Sequence, residues 1–188
     1  KRAALIVDIT TAFMHAPIVG NVKIKVPPGI SSETGSWKCL KALNGTRTAS
    51  QSWTEFAADK AAKNGATRSI HNPAVFFDNE QDYTMEQHGD DFFAIAEAAD
   101  LDWFEKTLLK TFEGKVKGRL RCAGEELRIL NRVVRRTGDG YEWEADQRHA
   151  ELQGVSHRGV GDALAVRCDI AQVALQELVR APVRGGEC

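Results

Sequence analysis

The residues best suited to chemistry in this chain are three carboxylates. Asp8 closes a short apolar run, and Asp90 and Asp91 stand side by side in "YTMEQHGDDFFAIAE" (83–97). Adjacent carboxylates repel each other unless water or a cation separates them. Mg²⁺ binds through one or two carboxylates and keeps room for a phosphate. If Asp8 and the pair meet at one sheet edge, two metals about 4 Å apart could activate an attacking oxygen and stabilise a leaving one. Gly89 offers a plainer reading of the same segment as a solvated hairpin turn, since Gly and Asp are common turn residues.

The elements that must position these groups can be read from local pattern. "AALIVDI" (3–9) is a short buried-strand candidate ending at Asp8. "VKIKV" (22–26) alternates as a half-exposed strand does, and "PPG" ends it. "SQSWTEFAADKAAKNG" predicts a helix capped by Ser50 or Ser52, burying Trp53, Phe56, Ala57 and Ala61 and ending before Gly65. "AVFFD" (74–78), a polar turn at 79–82 and the 83–97 segment predict a strand, a turn and a hairpin. "DLDWFEKTLLKTFEG" (100–114) predicts a helix with an Asp102–Glu105 capping box, a Leu101, Phe104, Leu108, Phe112 core stripe and a stop at Gly114. "ELRILNRVV" (126–134) and "GYEWEA" (140–145) flank a hairpin signal, and a last helix is expected over about 162–180. Strands and helices mix without regular βαβ alternation, which predicts an α+β fold.

Composition narrows the class. The 188 residues are 43% hydrophobic, ordinary for a globular chain with a real core. No apolar run approaches the roughly 20 residues of a membrane span, so no membrane partner is expected. The four cysteines are widely spaced with no CxxC, which argues against a zinc ribbon or a disulfide scaffold and for an intracellular protein. Net charge is only −1, but it is unevenly placed. Residues 78–102 hold nine acidic groups and no Lys or Arg, whereas 110–136 hold nine basic groups and three acidic ones. The first segment suits cations and the second suits a phosphate backbone, unless both are solvated faces. The absence of an initiator Met and the early first strand suggest a fragment of something longer.

An Asp after an apolar strand with a later "GDD" also occurs in haloacid-dehalogenase-like phosphatases, but that family wants a second Asp where this chain has Thr10. A longer ordered series fits better. "VDITTAFMHAP", "VKIKVPPGI", "WKCLKALNGTRTASQSW", "GATRSIHNPAVFF", "QHGDDFFAIA", "LRILNRVVRRTGDGYEWEADQRHAELQ" and "RCDIAQVALQELVR" follow one another from about 5 to 180. Together they resemble the reverse transcriptase domain of copia-type long-terminal-repeat retrotransposons. The resemblance implies a reverse-transcriptase-like palm, an antiparallel sheet with packing helices, plus a partial thumb over 1–153. It implies a shortened connection over 154–188 leading toward an absent ribonuclease H, with the fingers largely missing.

The resemblance also implies an activity and its parts. The activity is RNA-directed DNA polymerisation from a Pol polyprotein, on an RNA or DNA template-primer with deoxynucleoside triphosphates. Two Mg²⁺ would serve, with Mn²⁺ an alternative. Asp8 and Asp90 would be the principal metal ligands, with Asp91 beside them and the Ile9 carbonyl as an extra one. Phe13 would be the steric gate against a ribose 2′-OH, Gly45 would admit template or nucleotide to the backbone, and Arg47 would meet phosphate. Lys115 or Lys117 would approach the pyrophosphate. Nucleic-acid contacts would come from Lys115, Lys117, Arg119, Arg121, Asn131 and Arg132, with "ILNRVV" as the primer-grip hairpin. Partners would include the polyprotein's integrase and ribonuclease H, in a cytoplasmic particle or the nucleus. Departures from the family include Asn44, Thr46, Thr48 and Ser50, and His88-Gly89 before the Asp pair. Glu86 and Gln87 replace aliphatic residues, which predicts a more exposed or less stable strand. These departures suggest a second reading, a catalytically inactive remnant that binds nucleic acid weakly.

Overall fold

A computed structural model of the chain describes residues 2–30, 35–130, 132–138 and 140–144. The connection assigned to 154–188, the helix expected over 162–180 and Asn131 lie outside the described residues. In chain order the elements begin with β1 (Arg2–Ile9), a 3-10 turn (Ala12–His15), β2 (Lys23–Lys25), β3 (Ser36–Lys38) and α1 (Ala49–Lys63). β4 (Thr67–Arg68), β5 (Val75–Asp78), β6 (Tyr83–His88), β7 (Asp91–Glu97) and α2 (Ala98–Thr111) follow. β8 (Gly114–Leu120), β9 (Glu126–Ile129), β10 (Arg132–Arg136) and β11 (Tyr141–Trp143) complete them. The described residues are thus mixed α and β, with antiparallel sheets and two α-helices.

The main sheet has six antiparallel strands in the order β4-β5-β6-β7-β1-β8. β1 reads as a continuous apolar run because both of its faces are covered. Ala3, Leu5, Val7 and Ile9 join Trp53 and Ala57 of α1 and Leu101, Phe104 and Leu108 of α2 in one core. Ala4 and Ile6 face the other way, with Phe93, Ile95 and Leu120, onto Ile129 and Val134 of the β11-β10-β9 sheet. The sheet is therefore sandwiched between two helices and a small second sheet, and its strands must bury side chains on both sides.

Several local expectations need correction. α1 is preceded by Thr48 rather than Ser50 or Ser52, and no side chain caps it. α2 starts at Ala98, so Asp102 and Glu105 lie inside it and form no capping box; both bond to Arg119 of β8 instead. Gly114 is the first residue of β8, and the C-cap is Phe112. "ELRILNRVV" is two strands, with a turn after Ile129 where Leu130 takes φ 48°. Glu86 and Gln87 do not make their strand more exposed: both are buried in β6, a central strand of the sheet. Val75 and Phe93 are the register partners of Glu86 on the two neighbouring strands.

Candidate functional site

Asp8 and Asp91 stand directly opposite each other, as the last register pair between β1 and β7. The β6–β7 hairpin makes this possible. His88 pairs with Asp91, leaving Gly89 and Asp90 as a two-residue loop. Gly89 takes φ 61° while Asp90 keeps a negative φ, the sign pattern of a II′ turn, which favours Gly at its first central position. The turn is anchored twice. The Ile9 N–H donates to the Asp90 carbonyl at 2.8 Å, and the Trp53 indole N–H donates to the Gly89 carbonyl at 2.6 Å.

The turn reading of the acidic pair holds for Asp90, and Asp91 lies beyond the turn in the strand. Asp90 occupies the exposed turn, and Asp91 is the first strand residue and faces Asp8. The residue that ties the two facing carboxylates is Lys117. Its Nζ lies 2.7 Å from Asp8 Oδ1 and 2.7 Å from Asp91 Oδ1. Burial opposes the Lys117 charge, but its hydrogen bonds to Asp8 and Asp91 and their negative charge hold its pKa above the ordinary lysine value. Lys115, directly opposite Asp8 in the register, stays mostly exposed with Nζ 4.0 Å from Asp8 Oδ2. A Cβ at Gly114 would come within 2.7 Å of the Asp8 carbonyl oxygen, so β8 can approach β1 this closely only with glycine there.

The other sequence-predicted residues are distributed around this centre. Phe13 lies in the 3-10 turn after β1, partly buried against the helix-side core. Gly45 has φ 87° and open space beside its Cα, so its backbone conformation is what calls for glycine. Arg47 is exposed. Arg119 pairs with Asp102 at 2.6 Å and with Glu105, and Arg121 reaches Asp102 at 3.3 Å. Part of the basic segment is therefore neutralised by α2. Arg132 begins β10, opposite Ile129.

Two contributors escaped sequence reasoning. Trp53 was legible as a core residue, and only the polar N–H of its indole hinted that it also holds the turn. Glu86 lines a cavity of about 20 Å³ between the sheet and the β9–β10 hairpin, together with Ile6, His88, Asp91, Phe93 and Arg128. Its Oε1 is buried with no hydrogen-bond partner among the described residues.

The donor chemistry suits a hard cation. Two carboxylate oxygens already converge on one positive centre, the Lys117 ammonium. Among the described residues no three His, Cys, Asp or Glu side chains gather as a metal cluster. A metal here would thus draw on Asp8 and Asp91 and complete its shell with water or phosphate oxygens, as Mg²⁺ commonly does. Compared with protein-family models and with curated proteins, the chain matches none. Among the described residues no helix is long and apolar enough to cross a membrane.

Proposed function

We propose that the chain is the palm and partial thumb of a copia-type RNA-directed DNA polymerase, from a retrotransposon Pol polyprotein. The observation that carries this reading is the Asp8–Asp91 pair, set face to face by a hairpin whose turn also holds Asp90. Asp8 and Asp91 would hold Mg²⁺, with Asp90 at the rim. When bound, the metal would lower the pKa of a primer 3′-OH and offset charge on the triphosphate. The chain's own residues would do the rest. Asp8 and Asp91 fix the reacting centre to two paired strands, which limits its drift. Phe13, in the turn that follows Asp8, presents a ring that would crowd a ribose 2′-OH. Lys115, exposed beside Asp8, can meet the triphosphate as a mobile point charge.

A second reading is favoured by the pairing of Arg119 and Arg121 with α2 carboxylates, which reduces the positive surface offered to nucleic acid. On that reading the chain is a non-catalytic remnant with weak nucleic-acid binding. Primer extension on an RNA template with deoxynucleoside triphosphates and Mg²⁺ separates the two. The polymerase reading expects extension by the native chain that disappears in Asp8→Asn and Asp91→Asn variants of unchanged fold. No extension by well-folded native protein would leave the remnant reading.

A further inference from the structure

We infer that Lys117 is a built-in counter-cation, which a divalent metal must displace before it can occupy Asp8 and Asp91. The inference rests on the two-carboxylate site of the proposed function and adds an antagonist to it. The register of β8 shows how Lys117 is aimed. Ile6 pairs with Gly118 and Val7 with Val116, so Lys117 is the extra residue of a β-bulge. Bulges re-aim a side chain that regular pairing would direct elsewhere. Here the bulged Lys117 takes the contact, although Lys115 is the residue directly opposite Asp8.

The consequence is competition. Lys117 spends two of its three N–H donors on Asp8 Oδ1 and Asp91 Oδ1. With Lys117 in place, the repulsion between the two facing carboxylates is offset without metal. A divalent cation carries twice the charge and draws on the same oxygens, so both cations cannot hold them at once. Metal binding must break two ion pairs and return the ammonium to solvent. The Lys117 side chain is 38% exposed, which keeps that cost modest and the exchange reversible. Displacement also leaves a free ammonium beside the metal, so an anionic phosphate that accepts it favours the metal-bound state.

The test is Mn²⁺ binding to the full chain, followed by calorimetry and by paramagnetic resonance of the free ion. Lys117→Gln is expected to bind Mn²⁺ about tenfold more tightly than the native protein, a size set by two partly exposed ion pairs. Asp91→Asn should lose the binding. A second readout needs no variant: in native protein, Mn²⁺ should raise reductive methylation of Lys117, mapped by peptide mass, and leave Lys115 nearly unchanged. Equal Mn²⁺ affinity in native and Lys117→Gln proteins, or unchanged Lys117 labelling at saturating Mn²⁺, overturns the displacement and leaves the two-carboxylate site standing. Absence of Mn²⁺ binding in both proteins overturns the site itself and the inference with it.

Discussion

At the scale of single residues, Glu86 is the group most out of keeping with its surroundings. It is 3% exposed, lies between Val75 and Phe93 in the sheet, and leaves Oε1 without a partner among the described residues. Removal from water pushes its carboxyl up from 4.5 to about 7. Between those values the folded chain holds a proton that the unfolded chain has released. This group's contribution is therefore most favourable below the unfolded value, declines as pH rises through the window, and levels off above about 7. The span corresponds to about 3 kcal/mol as an order of magnitude. Urea unfolding between about pH 5 and about pH 8 should show this decline in the native protein and a flatter profile in Glu86→Leu. Parallel profiles would show that Glu86 keeps its solvent in the fold. The residue's identity was legible as an oddity in an apolar strand, but its burial was not. Whether a strand residue is covered depends on a hairpin that arrives some forty residues later in the chain, about which local pattern is silent.

At the scale of elements, the site depends on how a turn is held. The Gly89-Asp90 loop could be read from sequence because Gly and Asp between strand-like runs restrict the turn types available. The strand carrying Asp8 was legible as a continuous apolar run, and the α2 stripe because Leu101, Phe104, Leu108 and Phe112 keep helical spacing and are all buried. β8 escaped because "KVKGRL" reads as a basic segment, and only pairing to β1 makes it a strand. With β8 went the bulge, and with the bulge went the placement of Lys117. The expected start of α2 failed for a related reason: the carboxylates that looked like a capping box pair with Arg119 of β8. The clamp between α1 and the turn is testable on its own. Trp53→Phe keeps most of the ring packing against Phe92 and Phe112 and removes the indole N–H that reaches Gly89. The expected cost is about 0.5–1.5 kcal/mol in chemical denaturation, the net range for one hydrogen bond whose acceptor water can reach. Faster amide exchange at Asp90 and Asp91 should accompany it, with α2 unaffected; an unchanged turn would mean the strands alone set its geometry.

At the scale of the whole molecule, the main sheet separates two cores of unequal size. The helix-side core gathers both helices and an aromatic cluster of Trp53, Phe92 and Phe112. The other core is a thinner layer under the β9–β11 sheet, in which Val134 and Ile129 cover Ala4, Ile6, Phe93 and Ile95. The small sheet is a separate hydrogen-bonded unit from the main one. Its attachment combines apolar packing with the Tyr141 hydroxyl, which donates to the Arg2 carbonyl at 3.2 Å. Packing of this kind opens at lower free energy than paired central strands. Native-state hydrogen exchange should therefore resolve two levels, with β9, β10 and β11 opening below the free energy at which β1 and β7 open. Val134→Ala should widen the gap. Val134 is fully buried, so truncating it removes contacts from the thin core and leaves a cavity, at a cost of about 1–3 kcal/mol. That cost should fall on the amides of β9–β11 first, while β1 keeps its protection until global unfolding. The site sits at the junction of the two levels, since Asp8 and Asp91 belong to the protected strands and the Glu86 cavity is closed by the hairpin. Equal loss of protection in both sheets would mean one cooperative unit, and the hairpin could not then move independently of the carboxylates.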